Sequence, residues 1–288
     1  MITIASADLT AQINPLGAEL SHLLDDGGRE LMTDANPEFW KGRAPILFPN
    51  VGALVDDHWT IDGTRYPMPK HGFARHSLFE VVEQWPDAVT FRLTDSAETR
   101  AHYPFAFALD VRHSIRGATL ITEVSVENRD DRDLPASIGF HPAFAWPLPY
   151  GRDRAEHRIL FEAAEPSNLA RIVEGGLIGP EDRPSPLDGR TLSLADELFA
   201  IDALVWKRIV SQSVQYGAVD GPQLIIDFPD TPMLGVWTKP GAAFVCVEPW
   251  HGIADPQGFA GDIWAKPGIR RVSPGARWTV RMQVTLSR

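Results

Sequence analysis

Apolar side chains recur at every second position near the C-terminal end of this chain. Trp278, Val280, Met282, Val284 and Leu286 alternate there with polar or charged residues. Because successive side chains of a β-strand point to opposite faces of its sheet, this spacing puts all of them on one side. The stretch is therefore predicted to be a strand with one face in the core.

The same alternation predicts two β-hairpins earlier in the chain. Residues 107–113 and 120–126 alternate on either side of a turn at 116–118, which contains Gly117. Residues 79–81 and 89–93 flank a second turn that contains Pro86 and Asp87. Apolar runs separated by such turn residues are typical of adjacent antiparallel strands.

The 23 glycines and 24 prolines interrupt most windows that a long helix would need. One short helical turn is expected in 192–204, with Ser193 as its cap. Residues 149–186 are rich in charge, glycine and proline, and are expected to form long surface connections. No repeat of fixed period is present, which argues against propellers and solenoids. Residues 1–288 are predicted to form a single, all-β antiparallel sandwich.

Charge and composition exclude several classes of partner. With 27 Lys and Arg against 38 Asp and Glu, the net charge is −11, which disfavours nucleic acid and anionic membrane surfaces. No stretch approaches the roughly 20 apolar residues that span a bilayer, and the N-terminus lacks the pattern of a secretion signal. Cys246 is the only cysteine, so no intrachain disulfide is possible. A cytoplasmic monomer or weak homodimer is expected.

Four segments combine ionisable residues with aromatic residues and prolines, as a sugar site would, since rings stack on a pyranose and polar groups bind its hydroxyls. They are RAPILFPN at 43–50, KHGFAR at 70–75, SIGFHPAF at 137–144 and CVEPWH at 246–251.

His141 and Glu248 are the candidate acid and base. Pro142 biases His141 toward an extended or turn conformation at a strand end, where its ring can face a cleft; the alternative is a core histidine bonded to a backbone carbonyl. Glu248 ends an apolar strand that reads as buried on both faces. A carboxylate there is costly unless it is paired or protonated, so either catalysis or an internal ion pair explains it.

The other candidates have equally ordinary alternatives. His71 is a ligand-facing or a surface-turn histidine, with Gly72 beside it to allow close backbone approach. Arg43 and Arg75 bind substrate oxygens or form salt bridges. Trp250 stacks on a sugar or belongs to the core.

Common catalytic motifs of other classes are missing. The histidines match no usual ligand spacing and HExxH is absent, so no metal is expected. The sequence has neither GxxxxGK[ST] nor a GxGxxG after a strand, and the GxSxG of serine hydrolases is absent.

Taken in order, these segments resemble the aldose 1-epimerase (galactose mutarotase-like) family, in particular its shorter LacX-like bacterial branch. The resemblance runs over most of the chain and is most specific at SIGFHPAF, 137–144, and at LGVWTKPGAAFVCVEPWHGIAD, 234–255. It implies an antiparallel β-supersandwich, no cofactor and a small-molecule sugar substrate.

The resemblance also implies residue roles. His141 falls on the position of the general acid and Glu248 on that of the general base. His71 and Arg75 fall on substrate-contacting positions, and Asp202 matches an acidic residue that holds sugar hydroxyls. The expected reaction is interconversion of the α and β anomers of an aldohexose. Two alternatives stay open: a hexose 6-phosphate as the substrate, and a non-catalytic carbohydrate-binding protein on the same fold.

Overall fold

The computed structural model describes residues 1–288 and consists mainly of β-strands. In chain order the strands are β1 Ile2–Ala5, β2 Leu9–Asn14, β3 Glu19–Asp25, β4 Ile46–Leu47, β5 His58–Ile61, β6 Thr64–Pro67, β7 Glu80–Trp85, β8 Ala88–Thr94, β9 Phe107–Arg116, β10 Thr119–Asn128, β11 Leu134–Ala136, β12 Ile138–Phe140, β13 Ala143–Ala145, β14 His157–Phe161, β15 Leu169–Val173, β16 Leu177–Arg183, β17 Thr191–Ser193, β18 Leu204–Trp206, β19 Ser213–Ala218, β20 Gln223–Asp227, β21 Met233–Trp237, β22 Phe244–His251, β23 Arg270–Val272 and β24 Arg277–Ser287.

Helical structure is confined to short segments. The one α-helix, α1, spans Ala97–His102, and Ser96 caps it by accepting a hydrogen bond from the Thr99 amide. The remaining helical segments are 3-10 turns at Val55–Asp57, Ala74–His76, Arg154–Glu156, Glu174–Gly176, Asp196–Phe199 and Ile263–Ala265. None of these helices is long and apolar enough to cross a membrane.

Two large sheets make up the sandwich. One has nine strands in the order β17-β14-β19-β20-β24-β10-β9-β8-β7, and the other has eight, in which β16-β15-β18-β21-β22-β12-β4 form the path and β13 also pairs with β22. Every pairing within them is antiparallel. This architecture confirms the predicted antiparallel β-supersandwich.

The main core lies on one face of each large sheet. In β10 buried and half-buried residues alternate without a break, and β24 follows the same rule over most of its length. Val124 and Val280, which are paired across these strands, belong to the same core cluster of 60 residues as Val245 and Val247 of β22.

The eight-stranded sheet is apolar on its second face as well. The even-numbered residues of β22 point away from the side that carries the core valines, and Cys246 and Trp250 belong to separate, smaller clusters. Strand β22 is therefore buried along almost its whole length, as the apolar sequence before Glu248 predicts. This second face carries the candidate site.

Most of the local predictions hold. The hairpins β9–β10 and β7–β8 and the strand β24 are confirmed. In 192–204 the helical turn exists as a 3-10 turn at Asp196–Phe199, but its cap is Ala195 and no side chain bonds to it, so the Ser193 cap is wrong. Residues 149–186 are more ordered than expected, because they include β14, β15 and β16.

Candidate active site

The site is set by the register of three strands on the second face of the eight-stranded sheet. On β12, Gly139 lies opposite Trp250, and the pairs of β13 with β22 continue in the same register. Counting through that register puts His141 opposite Glu248. Pro142 has no N–H to give to a ladder, so the strand breaks between β12 and β13 where the histidine stands. Directly opposite residues of antiparallel strands share a face.

The two side chains meet. Nε2 of His141 lies 3.2 Å from Oε2 of Glu248, and the side chains are 10% and 2% exposed. Nδ1 of His141 is buried and has no hydrogen-bond partner. Burial lowers the pKa of His141 to about 3, helped by the positive charges of Arg75 and Lys70. Burial raises the pKa of Glu248 well above its usual value, and the charge of Asp202 adds to this.

These opposite shifts define the protonation of the pair. Between the two pKa values the pair holds one mobile proton, and burial favours its neutral form, with the proton on Glu248 and a neutral His141 ring. Moving that proton across the 3.2 Å gap gives the charged form, a carboxylate beside an imidazolium. Both forms contain one acid and one base, which is what a paired proton transfer requires.

The pair lies at the wall of a cavity of about 480 Å³. Three tryptophans line this cavity, Trp40, Trp237 and Trp250. The Trp40 ring lies 4.9 Å from the His141 ring, centroid to centroid, at an angle of 31°, and Trp237 meets Trp40 edge-on at 5.6 Å. Aromatic faces beside a buried acid and base suit the apolar faces of a sugar ring.

Two glycines make room for Trp250. A Cβ atom on Gly139 would lie 2.7 Å from its indole, and one on Gly235 of β21 would lie 2.6 Å from it. Gly235 is also directly opposite Glu248. The indole therefore lies over both neighbouring strands, and its buried Nε1 has no hydrogen-bond partner in the protein.

His71 is held in a strained turn on the cavity wall. Its φ is +68°, in the left-handed region, and the Gly52 amide donates to its Nδ1 at 3.2 Å. The ring is therefore neutral with its proton on Nε2, and burial lowers its pKa well below the usual value. The predicted close approach at Gly72 is to Phe48, whose carbonyl oxygen would be 2.1 Å from a Cβ at this position.

Three cationic side chains line the cavity: Lys70, Arg75 and Lys239. A guanidinium nitrogen of Arg75 donates to the Lys70 carbonyl at 3.1 Å, and Lys239 Nζ donates to the Phe39 carbonyl at 3.1 Å. Nε of Arg75 is buried without a partner. None of the three cations forms an ion pair with a carboxylate, so all are available to a polar ligand.

Asp202 also lines the cavity, after the 3-10 turn Asp196–Phe199. One carboxylate oxygen accepts from the Ala203 amide at 2.7 Å. Its charge contributes to the raised pKa of Glu248, after burial.

One candidate residue from the sequence, Arg43, lies elsewhere. Arg43 does not line the cavity; its guanidinium donates to the carbonyls of Ser21 at 3.1 Å and Thr33 at 2.7 Å, which ties the segment before β4 to β3. We therefore leave Arg43 out of the proposed site. His251 follows Trp250 on β22, so its side chain points to the opposite face of the sheet. Its Nδ1 is hydrogen-bonded to the Gly268 carbonyl at 3.1 Å, and it too lies outside the cavity lining.

Sequence reasoning missed Trp40, Trp237 and Lys239. Trp237 and Lys239 fall inside the motif LGVWTKPG, and Trp40 stands three residues before Arg43, so their position beside recognised motifs was the available signal.

A third group able to bind a metal, the Cys246 thiol, lies beside the pair. Donor atoms of His141, Cys246 and Glu248 all lie within 4.8 Å of one another. The sequence prediction that catalysis needs no metal stays a prediction.

The family model for aldose 1-epimerase matches residues 1–285 of the chain. The chain belongs to the aldose 1-epimerase family. The LacX protein encoded on the chromosome of Lactococcus lactis subsp. lactis is 33% identical over 284 residues, with 95% of each chain covered. This confirms the resemblance to the LacX-like branch.

Solved structures of the family have the same fold. A galactose mutarotase related enzyme from Lactobacillus acidophilus is 29% identical with a TM-score of 0.91, covering 100% of this chain and 97% of that one. A galactose mutarotase-like protein from Lactobacillus casei is 29% identical with a TM-score of 0.92, and each chain is covered completely.

Proposed function

We propose that this aldose 1-epimerase family member interconverts the α and β anomers of an aldohexose. The observation that carries the proposal is the buried His141–Glu248 pair, 3.2 Å apart at the wall of a cavity of about 480 Å³. A site that only binds sugar has no need for an acid and a base in contact. The residues that line this one cavity come from distant parts of the chain, from Trp40 to Ala254. We therefore further propose that residues 1–288 act as one catalytic domain.

Ring opening needs two proton transfers. Glu248, as the carboxylate, takes the proton of the C1 hydroxyl, while His141 gives its Nε2 proton to the ring oxygen. The bond from C1 to the ring oxygen breaks, and the C1 carbonyl forms. Rotation about the C1–C2 bond then exposes the other face of the aldehyde, and ring closure reverses both transfers.

Burial of the pair suits this sequence of steps. After ring opening Glu248 carries a proton and His141 is neutral, which is the form that burial favours. The pair is therefore in its favoured protonation state when the open-chain intermediate is bound. The cyclic sugar meets the charged form, which arises when the shared proton crosses to Nε2. Sugar hydroxyls that donate to the Glu248 carboxylate would favour that form.

The remaining lining residues hold the sugar. Trp250 offers an apolar face, while Asp202, His71 and Arg75 offer an acceptor and donors for ring hydroxyls. The unpartnered Trp250 Nε1 is a further donor.

Polarimetry of freshly dissolved α-glucose and α-galactose tests the proposal. We expect the protein to speed the approach to the anomeric equilibrium of at least one of the sugars at catalytic concentration, without a cofactor. A protein that binds sugar by calorimetry and leaves the rate of mutarotation unchanged is the non-catalytic carbohydrate-binding protein, and the proposal is then wrong.

A hexose 6-phosphate is the second candidate substrate. The supporting observation is that Lys70, Arg75 and Lys239 line the cavity without carboxylate partners. Lysine and arginine are the usual groups that bind phosphate. If the phosphorylated sugar is the substrate, kcat/KM for glucose 6-phosphate exceeds that for glucose by at least about 10-fold, and Lys70→Met removes most of the difference. Equal values favour the neutral hexose.

A further inference from the structure

One buried side chain beside the His141–Glu248 pair has no part in the proposed mechanism. Cys246 lies two residues before Glu248 on β22, so both side chains point to the same face of the sheet. The thiol is completely buried. Directly opposite, β13 supplies Ala143, whose small side chain leaves the thiol close to its diagonal neighbour His141.

The three donors form a compact set. An imidazole nitrogen of His141, Sγ of Cys246 and a carboxylate oxygen of Glu248 lie within 4.8 Å of one another. Around a tetrahedral Zn²⁺, with bonds of about 2.0–2.3 Å, such donors are separated by about 3.3–3.8 Å. Side-chain rotations that move the three donor atoms by about 1 Å would therefore let all of them bind one ion. His141 also retains a buried nitrogen, Nδ1, that nothing in the protein satisfies.

The donor types point to a particular kind of cation. Nitrogen, sulfur and carboxylate oxygen are the ligands of zinc sites, and a soft thiolate selects Zn²⁺ or similar ions over Mg²⁺ and Ca²⁺. Because His141 and Glu248 line the cavity, an ion bound to both has its fourth position open toward the space that the sugar would fill.

We propose that a thiophilic divalent cation such as Zn²⁺ binds His141, Cys246 and Glu248 and inhibits the enzyme in competition with the sugar. The ion takes the nitrogen and the carboxylate that would move protons and displaces the one proton that they share, and the Cys246 thiol gives up its own, so binding releases two protons to solvent. Catalysis itself does not use the ion. The inhibition part of the proposal rests on the proposed mutarotation, whereas the binding part does not.

Binding is measured first, with Co²⁺ as a spectroscopic probe for zinc sites. Titration of the metal-free wild-type protein should give one tight site with the near-ultraviolet absorption of a thiolate bound to Co²⁺, and Zn²⁺ should remove it. The variants Cys246→Ala and Cys246→Ser should lack this absorption. A wild-type spectrum without it contradicts the proposal, whatever the variants do.

Inhibition is measured by polarimetry. Zn²⁺ should raise the apparent KM and leave kcat unchanged, and excess chelator should restore full activity. Cys246→Ala should keep basal activity within about 2-fold and weaken Zn²⁺ inhibition by at least about 10-fold, as expected when a ligand is removed. Cys246→Ser supplies the same comparison if the alanine variant melts early.

A matched control separates this site from adventitious binding. His22 and Glu30 form another His–carboxylate contact, 2.6 Å long and partly exposed. His22→Asn should leave Zn²⁺ inhibition unchanged. If Cys246→Ala is inhibited as strongly as the wild type, the proposed site is wrong while the mutarotase activity stands. If Co²⁺ binds through the thiolate but wild-type protein does not catalyse mutarotation, the site stands and the proposed function fails.

Discussion

Two pairs of ionisable side chains are buried near the candidate site, and they differ in how completely they are bonded. Lys266 Nζ lies 2.7 Å from Asp255, with side chains 1% and 3% exposed. Lys266 also donates to the Ile253 carbonyl at 2.7 Å, and Asp255 accepts from the Val55 amide at 3.1 Å.

The His141–Glu248 pair is also buried, but fewer of its polar atoms are hydrogen-bonded. Its closest contact is longer, at 3.2 Å, and Nδ1 of His141 has no partner. Buried polar groups are normally satisfied, so the two pairs indicate different uses. The Lys266–Asp255 pair stabilises the segment that supplies Ile253 and Ala254 to the cavity wall. The His141–Glu248 pair instead has hydrogen-bonding capacity left for a ligand.

The largest expected effect is on kcat, the rate of the proton-transfer reaction. Glu248→Gln keeps the shape of the side chain but removes its ability to exchange a proton, so kcat should fall by at least about 10²-fold. Sugar affinity, measured by calorimetry, and the melting temperature should stay close to the wild-type values. A variant that has lost stability instead would make Glu248 a structural carboxylate like Asp255.

Lys266→Met should have the opposite effect, a loss of stability instead of a loss in kcat. It leaves the Asp255 carboxylate buried without its counter-ion, which should lower the free energy of unfolding by about 3–5 kcal/mol. The control is the same substitution at Lys207, whose pair with Asp182 is partly exposed and should contribute at most about 1 kcal/mol. Denaturant unfolding measures both variants. Equal losses would contradict the contrast between the pairs.

The pH dependence of the rate should be broad. With the pKa of His141 lowered to about 3 and that of Glu248 raised well above its usual value, the pair holds one proton throughout the range between them. The pair gains a second proton below this range and loses its only one above it, so kcat/KM should fall at each end. At the acid end, kcat/KM should stay within about 2-fold of its maximum down to about pH 4, one unit above the pKa of His141.

An unperturbed histidine acid would behave differently. With a pKa near 6.5, and an ordinary glutamate base near 4.3, kcat/KM would fall by about 5-fold on going from about pH 6.5 to 7.5 and would already be about 3-fold below its maximum at about pH 4. Polarimetric rates, corrected for the buffer-catalysed reaction, distinguish the two cases.

The smallest expected effect is on sugar binding. Gly235→Ala places a methyl group 2.6 Å from the Trp250 indole and must displace it. We expect KM to rise by about 3- to 10-fold, with kcat within about 2-fold of the wild type. Gly221→Ala is the control, since the nearest atom to its Cβ is 3.8 Å away. An unchanged KM would remove Trp250 from the proposed binding surface.

The sequence predicts the fold where a strand has one face in the core and one in solvent. Alternation is unbroken in β10 and marks most of β24, and the hairpin β9–β10 follows from it. It fails in 149–186, where β15 has a register shift between Ala170 and Ile172 that disrupts the period of two. Strand β16 lies at the edge of its sheet and ends in charged, largely exposed residues. Its sequence therefore resembles that of a loop.

The candidate site is only partly predictable. The motifs around His141 and Glu248 mark both residues, but their contact depends on the register of β12 and β13 against β22, which no local pattern specifies. The cavity lining also draws on distant segments, so Trp40 was missed. Arg43 was a reasonable candidate from its motif, yet backbone carbonyls of Ser21 and Thr33 engage its guanidinium.

The central claim is that His141 and Glu248 act as one proton-transferring unit, and a double-mutant cycle tests it most directly. Mutarotation is measured by polarimetry for the wild type, His141→Asn, Glu248→Gln and the double variant, with folding checked by thermal melting. Each single variant should lose at least about 10²-fold in kcat, and the double variant should lose little more than the worse of the two. Losses that multiply, or a single variant that turns over sugar at the wild-type rate, would contradict the claim.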